Sequence, residues 1–294
     1  LIISIFMLLL LYFVSDKSVN RWLDLGFIKL QPSELAKISL ILALARYFHD
    51  IQIRDYGKIS YSIVAIIISL PVVILTLIQP DLGTAVMQTL LIGSLVFLAG
   101  LRVWFLILFF GIFTASLPFL WFNLHDYQKQ RILTHLDPST DALGAGYHIN
   151  QSKIALGSGG VFGKGFLQGS QSHLDFLPEK QTDFIFTMIG EEFGLAGSLF
   201  VLMIFVLVMV YTYMISFLQS SQFGRLVCSG IVFMLFSYVF VNIGMVSGML
   251  PVVGAPLPLI SYGGSSMLTI FISFGIVLSA SIHRFDKLEV RERY

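Results

Sequence analysis

Apolar residues run through this chain in long blocks joined by short polar breaks, with one long polar interruption past the middle. The blocks cover roughly 1–14, 34–49, 59–79, 82–99, 103–122, 183–214, 226–248 and 265–282. Most approach the ~20 residues needed to cross the hydrocarbon core of a bilayer. None alternates in the manner of a barrel strand, and lipid offers no partner to an exposed backbone group, so each block predicts a helix. The predicted fold class is all-α: a polytopic helical membrane protein with eight spans. An even count puts both ends on one side. The first block is short for a span and reads as the tail end of one. It lacks the basic region and small-residue cleavage site of a signal peptide.

Composition agrees. The 294 residues are 56% hydrophobic and 12% charged, against about 25% charged in soluble domains, and mean hydropathy is +0.85. A net charge of +1 leaves no nucleic-acid footprint. The single cysteine, Cys228, excludes a disulfide within the chain and reads as a small core residue. The eighteen basic residues divide nine and nine between the two sides. One set lies in short loops, which weigh most in setting orientation. This places the C-terminus in the cytoplasm and residues 123–182 outside, as a large extracytoplasmic loop within a single transmembrane domain over 1–294.

Proline and glycine interrupt the pattern. Gln79-Pro80-Asp81-Leu82-Gly83 separates two blocks too closely for an ordinary loop, and predicts a tight turn or broken helix lining a cavity. Pro251 to Gly264 carries three prolines and three glycines, and reads as an irregular re-entrant or interfacial segment. Eight glycines lie between Gly144 and Gly169. Gly157 to Gly165 suggests a phosphate loop, but no Ser or Thr follows Lys164 and no strand precedes it, which leaves a plain flexible loop as the expectation. His125, His135, His148 and His173 lack metal-ligand spacing.

Polar residues gather at the outer ends of the blocks: Arg21, Gln31, Glu34 and Lys37; Gln79 and Asp81; Arg131; Glu179, Lys180 and Asp183; Ser261 and Tyr262. Glu34 and Lys37, three apart, share a helix face and can pair. That pair reads as readily as a structural ion pair at a helix start as it does as a working one. Asp81, after Pro80, reads somewhat better as a helix cap. Asp183, at the start of a block, is equally a helix N-terminal acid satisfied by the macrodipole or a general base. Glu191 and Glu192, two turns further along, are paired carboxylates at membrane depth, and a structural contact is the favoured reading over a proton relay.

Taken together, these stretches resemble the SEDS family (shape, elongation, division and sporulation), its RodA branch most closely. The match is carried by Arg21-Trp22 through Gln31-Pro32-Ser33-Glu34-Leu35-Ala36-Lys37; by Gln79-Pro80-Asp81-Leu82-Gly83-Thr84; by Arg131 through Leu177-Pro178-Glu179 and Thr182-Asp183-Phe184-Ile185-Phe186; and by Asn242-Ile243-Gly244-Met245-Val246-Ser247-Gly248 through Ile260-Ser261-Tyr262-Gly263-Gly264. Gly146-Tyr147-His148-Ile149 and 242–247 look like the elongation branch. Family members have ten spans, so the first two would precede this chain. One departure stands beside the acid: the family usually has His before the Thr-Asp pair, and here it is Gln181.

The resemblance implies a peptidoglycan glycosyltransferase that polymerises lipid II during lateral wall elongation, in the bacterial cytoplasmic (inner) membrane with its active site facing outward. Asp183 matches the family's essential acid and would be the catalytic base. Arg21, Lys37 and Arg131 would serve the departing pyrophosphate, with Glu34 orienting Lys37. Asp81, Glu179, Lys180, Ser261 and Tyr262 complete the substrate-binding set. No cofactor is evident, though a divalent cation such as Mg2+ is an alternative source of positive charge at the pyrophosphate. The implied partners are lipid II and the nascent glycan strand, a class B penicillin-binding protein that supplies cross-linking, and other membrane proteins of the elongation complex. The rival class is transport, a lipid II flippase above all. It would need polar lining across the whole membrane, and the inner halves of the blocks are nearly bare apart from Glu191, Glu192 and Asn242.

Overall fold

The computed structural model describes residues 1–14, 21–24, 26, 29–51, 57–123, 126–137, 145–169 and 181–286. Its helices in chain order are α1 (Ile2–Val14), α2 (Pro32–His49), α3 (Ile59–Ile78), α4 (Leu82–Leu98), α5 (Val103–Asn123), α6 (Asp126–Leu136), α7 (Ala145–Ser158), α8 (Ile185–Phe217), α9 (Gln222–Val246) and α10 (Gly264–Ile282). Seven of the eight apolar blocks are single helices, and the block 183–214 is helical with a break. By length and composition α3, α8, α9 and α10 can each cross a membrane, and α1 and α4 are shorter apolar helices. Large apolar side chains such as Ile67, Phe200, Leu207 and Tyr211 stand more than half exposed, a surface that lipid solvates and water does not. The chain is a polytopic helical membrane protein.

Two compact units make up the molecule. The first comprises 1–103, 208–237 and 263–294. Within it α2 packs against α1, α3, α4 and α10, and its Leu40, Ile41 and Leu44 are wholly buried. A two-residue hairpin, β1 (Leu23–Asp24) and β2 (Lys29–Leu30), precedes α2. It is tied to the start of α10 through Ser265, whose Oγ donates to Lys29 O and accepts from Gln31 N. Between α3 and α4 the expected tight turn is present. Asp81 N-caps α4 by accepting from Thr84 N at 3.3 Å, which satisfies a donor that the helix start leaves unpaired.

The second unit comprises 104–207 and 238–262. Here the structure departs from the sequence reading twice. The polar stretch 123–182 is not a loop throughout, because α6 and α7 fold within it. Helix α8 is not continuous either: Gly194 has φ +68° and ψ −161°, which breaks it into two helices. The glycine-rich run 157–165 fills the break. Lys164 N and Gly165 N donate to the carbonyls of Glu191 and Glu192, and Leu195 N and Ala196 N donate to Gly160 O and Val161 O, all at 2.9–3.0 Å. Four backbone bonds thus replace those the helix loses, as a low-dielectric setting requires. The approach admits no side chain. A Cβ on Gly159 would lie 2.0 Å from Gly190 O, and one on Gly163 2.1 Å from Glu192 O. The run is therefore a backbone partner of the broken helix rather than a flexible loop. The Pro251–Gly264 segment is irregular up to the start of α10, as its prolines and glycines predict.

Candidate active site

The expected site residues fall into two clusters, one in each unit. In the first unit, Pro32 at the first position of α2 and Glu34 in its first turn are a favourable helix start. One turn on, Lys37 Nζ donates to Glu34 Oε1 at 2.7 Å, and the two side chains are 1% and 5% exposed. Asp81 is tied in three ways. Its carboxylate caps α4, accepts from Gln31 Nε2 at 3.1 Å and lies 3.7 Å from Arg21 Nη1. Arg21 Nη2 also donates to Pro80 O. The cap reading of Asp81 therefore holds, with the ion pair added to it. Arg21 keeps 27% of its side chain exposed, so it is far more accessible than Lys37.

In the second unit, Asp183 lies in the turn 181–184 that leads into α8 and is half-buried. All three carbonyls from Gln181 to Asp183 accept hydrogen bonds from residues 242–262. Tyr262 N donates to Gln181 O at 2.8 Å, Ser261 Oγ to Thr182 O at 2.5 Å and Asn242 Nδ2 to Asp183 O at 2.8 Å. Ser261 Oγ also accepts from Leu257 N, so one hydroxyl ties the turn to the irregular segment. The Asp183 carboxylate lies against Gly254, where Oδ2 would be 3.2 Å from an added Cβ. A further tie lies one turn along α8, where Thr187 shares a 2.7 Å hydrogen bond with Ser152 of α7, and Ser152 donates to Val246 O.

Ser261 and Tyr262 thus act on the acid's turn through the backbone, and the Tyr262 side chain is 79% exposed. Arg131 is in α6, where only its backbone is described, and Glu179 and Lys180 lie outside the described residues. Glu191 is wholly buried and its Oε1 is 2.7 Å from Lys164 Nζ, which supports the structural reading of that acid. The sequence reading misplaced Asn242. Its amide bonds the Asp183 backbone, so it stands at the level of that acid. A polar amide six residues before the end of an apolar block was the available signal. Among the described residues no three or more His, Cys, Asp or Glu side chains gather as a metal site.

A family model described as a cell cycle protein, covering FtsW, RodA and SpoVE, matches residues 1–286. The peptidoglycan glycosyltransferase MrdB of Escherichia coli strain K12 is 48% identical over 274 residues, 92% of this chain and 72% of that protein. The probable peptidoglycan glycosyltransferase FtsW of Geobacter metallireducens is 36% identical over 289 residues, 96% of this chain and 76% of that one. Among solved structures, a chain from a peptidoglycan synthase complex that coordinates polymerisation and crosslinking superposes with a TM-score of 0.79 at 31% identity, covering 97% of this chain and 80% of that one. The rod shape determining protein RodA of Thermus thermophilus superposes with a TM-score of 0.67 at 28% identity, covering 97% and 77%. The chain belongs to the FtsW, RodA and SpoVE family of cell cycle proteins.

Proposed function

We propose that this chain is a peptidoglycan glycosyltransferase that polymerises lipid II, with Asp183 as its general base. The observation that carries the assignment is the Asp183 turn. Its three carbonyls are fixed from 242–262, while Asp183 itself is only partly buried and its carboxylate stands beside Gly254. The acceptor's GlcNAc 4-hydroxyl is far too weak an acid to ionise alone at neutral pH. Asp183 takes its proton as the 4-oxygen bonds to the anomeric carbon of the donor's MurNAc. The bond from that carbon to the diphosphate breaks, and undecaprenyl pyrophosphate leaves with the electron pair.

The leaving diphosphate needs positive charge. Arg21 is better suited than Lys37, whose ammonium is bonded to Glu34 and almost fully enclosed. Arg131, Glu179 and Lys180 are assigned to substrate by resemblance alone. A divalent cation at a diphosphate typically takes only one or two carboxylates from protein. The described residues offer no larger donor cluster, and the mechanism assigns no step to a metal. Lipid II is polymerised on the outer face of the inner membrane, and the active site is assigned to that side. A class B penicillin-binding protein is the proposed partner, supported by the structural likeness to a peptidoglycan synthase complex.

The test is lipid II polymerisation by the purified full-length protein with that partner, its transpeptidase blocked by a β-lactam, and products read on a gel. Wild type is expected to make long glycans and folded, partner-bound Asp183→Asn to make none. Equal glycan from both would make Asp183 a helix acid and send the search for the base to Glu34 or Asp81. No polymer from either, with a known polymerase active in the same assay, would favour transport.

A further inference from the structure

Asn242 lies four residues before the end of α9 and is wholly buried. Its amide nitrogen donates twice, to Asp183 O at 2.8 Å and to Ala255 O at 2.7 Å. Neither carbonyl belongs to a helix: one is in the turn before α8 and the other in the irregular segment after Pro251. Flipping the amide would set its oxygen against two carbonyl oxygens, so the geometry fixes which end is the donor. The other end, Oδ1, is buried with no hydrogen-bond partner among the described residues. A polar group left unpaired in such a place is a cost that an apolar side chain would avoid. The residue is thus a poor device for stability alone, but it suits a fixed distance between two backbone segments.

Those two segments carry the acid and its wall. Ala255 follows Gly254, whose φ of +75° is a glycine conformation, and Gly254 is the residue the Asp183 carboxylate lies against. A single amide therefore holds the backbone of Asp183 and the backbone beside its carboxylate. We infer that Asn242 is the positioning residue for Asp183: its two hydrogen bonds fix where the carboxylate stands without touching it. This rests on the assignment of Asp183 as the base. The role predicts a loss in turnover rather than in substrate affinity, since a misplacement of about 1 Å in catalytic geometry can cost roughly 10²-fold.

The experiment compares wild type, Asn242→Leu, Asn242→Asp and Asp183→Asn as full-length chains with the synthase partner. Asn242→Leu removes both donors while keeping the number and branching of the heavy atoms. Asn242→Asp keeps the shape, but its carboxylate cannot donate. Steady-state lipid II polymerisation gives kcat and KM, and melting and partner capture are measured on the same samples. The expected result is a kcat lowered by about 10²-fold with KM, melting and capture near wild type in at least one Asn242 variant. A kcat near wild type overturns the inference. So does a rise in KM at unchanged kcat, or loss of the folded complex in both variants, which would assign Asn242 to the fold. Asp183→Asn separates the two claims. If it is inactive while the Asn242 variants turn over normally, the base stands and the positioning role falls. If it is fully active, the base assignment itself has failed.

Discussion

The two clusters hold their carboxylates in different ways. Around α2 and α4 the side chains themselves are bound: Glu34 to Lys37, and Asp81 to Arg21, Gln31 and Thr84 N. Both acids are nearly enclosed, at 4% exposure each. At the start of α8 the backbone of the acid's turn is bound as well. The carbonyls of Gln181, Thr182 and Asp183 are taken up by Tyr262, Ser261 and Asn242, and Asp183 is less buried than Glu34 or Asp81. A carboxylate whose lone pairs are spent on an ammonium or a helix start is poorly placed to take up a proton. At Asp183 the main-chain bonds of the turn set where the carboxylate stands, beside Gly254. The difference separates scaffold from base among acids that look alike in sequence.

Four variants sharpen this comparison. The largest effect is expected from Asp183→Asn, a loss of about 10²–10⁴-fold in polymerisation with melting unchanged. Lys37→Met should act the other way, on stability first. It strands Glu34 without its ammonium, at a cost of about 3–5 kcal/mol, and Glu34→Leu in the same chain should recover most of it. Melting of single and double variants in detergent is the check, and a double variant no more stable than Lys37→Met would contradict the pairing argument. Gly194→Ala places a side chain in a backbone region reserved for glycine, 2.4 Å from Gly163 N. It should cost about 2–4 kcal/mol, read as a lowered melting temperature. Asp81→Asn is the mildest. Asparagine caps as well as aspartate, but its amide nitrogen cannot accept from Gln31 Nε2, so that bond and the pair with Arg21 are lost, about 1–2 kcal/mol together.

What the sequence made legible was local. The eight apolar blocks became helices because lipid allows the backbone little else. The Glu34–Lys37 spacing gave their contact, and Pro80-Asp81 gave the turn and its cap. The features missed depend on segments far apart in the chain. The break at Gly194 is stable only because Gly159 to Gly165 supplies its backbone partners, and neither stretch announces the other. Asn242 gained its role from carbonyls 59 residues before it and 13 after it. Helices α6 and α7 were hidden by polar composition, although Asp126 in the first turn of α6 and His135 in its last suit the helix dipole.

The central claim is that Asp183, and not the enclosed acids, takes the acceptor's proton. The most direct test is the initial rate of lipid II polymerisation for Asp183→Asn and Asp81→Asn side by side, in folded complexes with the same partner. Asp183→Asn should fall by at least about 10²-fold while Asp81→Asn stays within about tenfold of wild type, because it loses a partly buried ion pair and one hydrogen bond but no reacting group. Equal rates for the two variants, or a larger loss at Asp81, would contradict it.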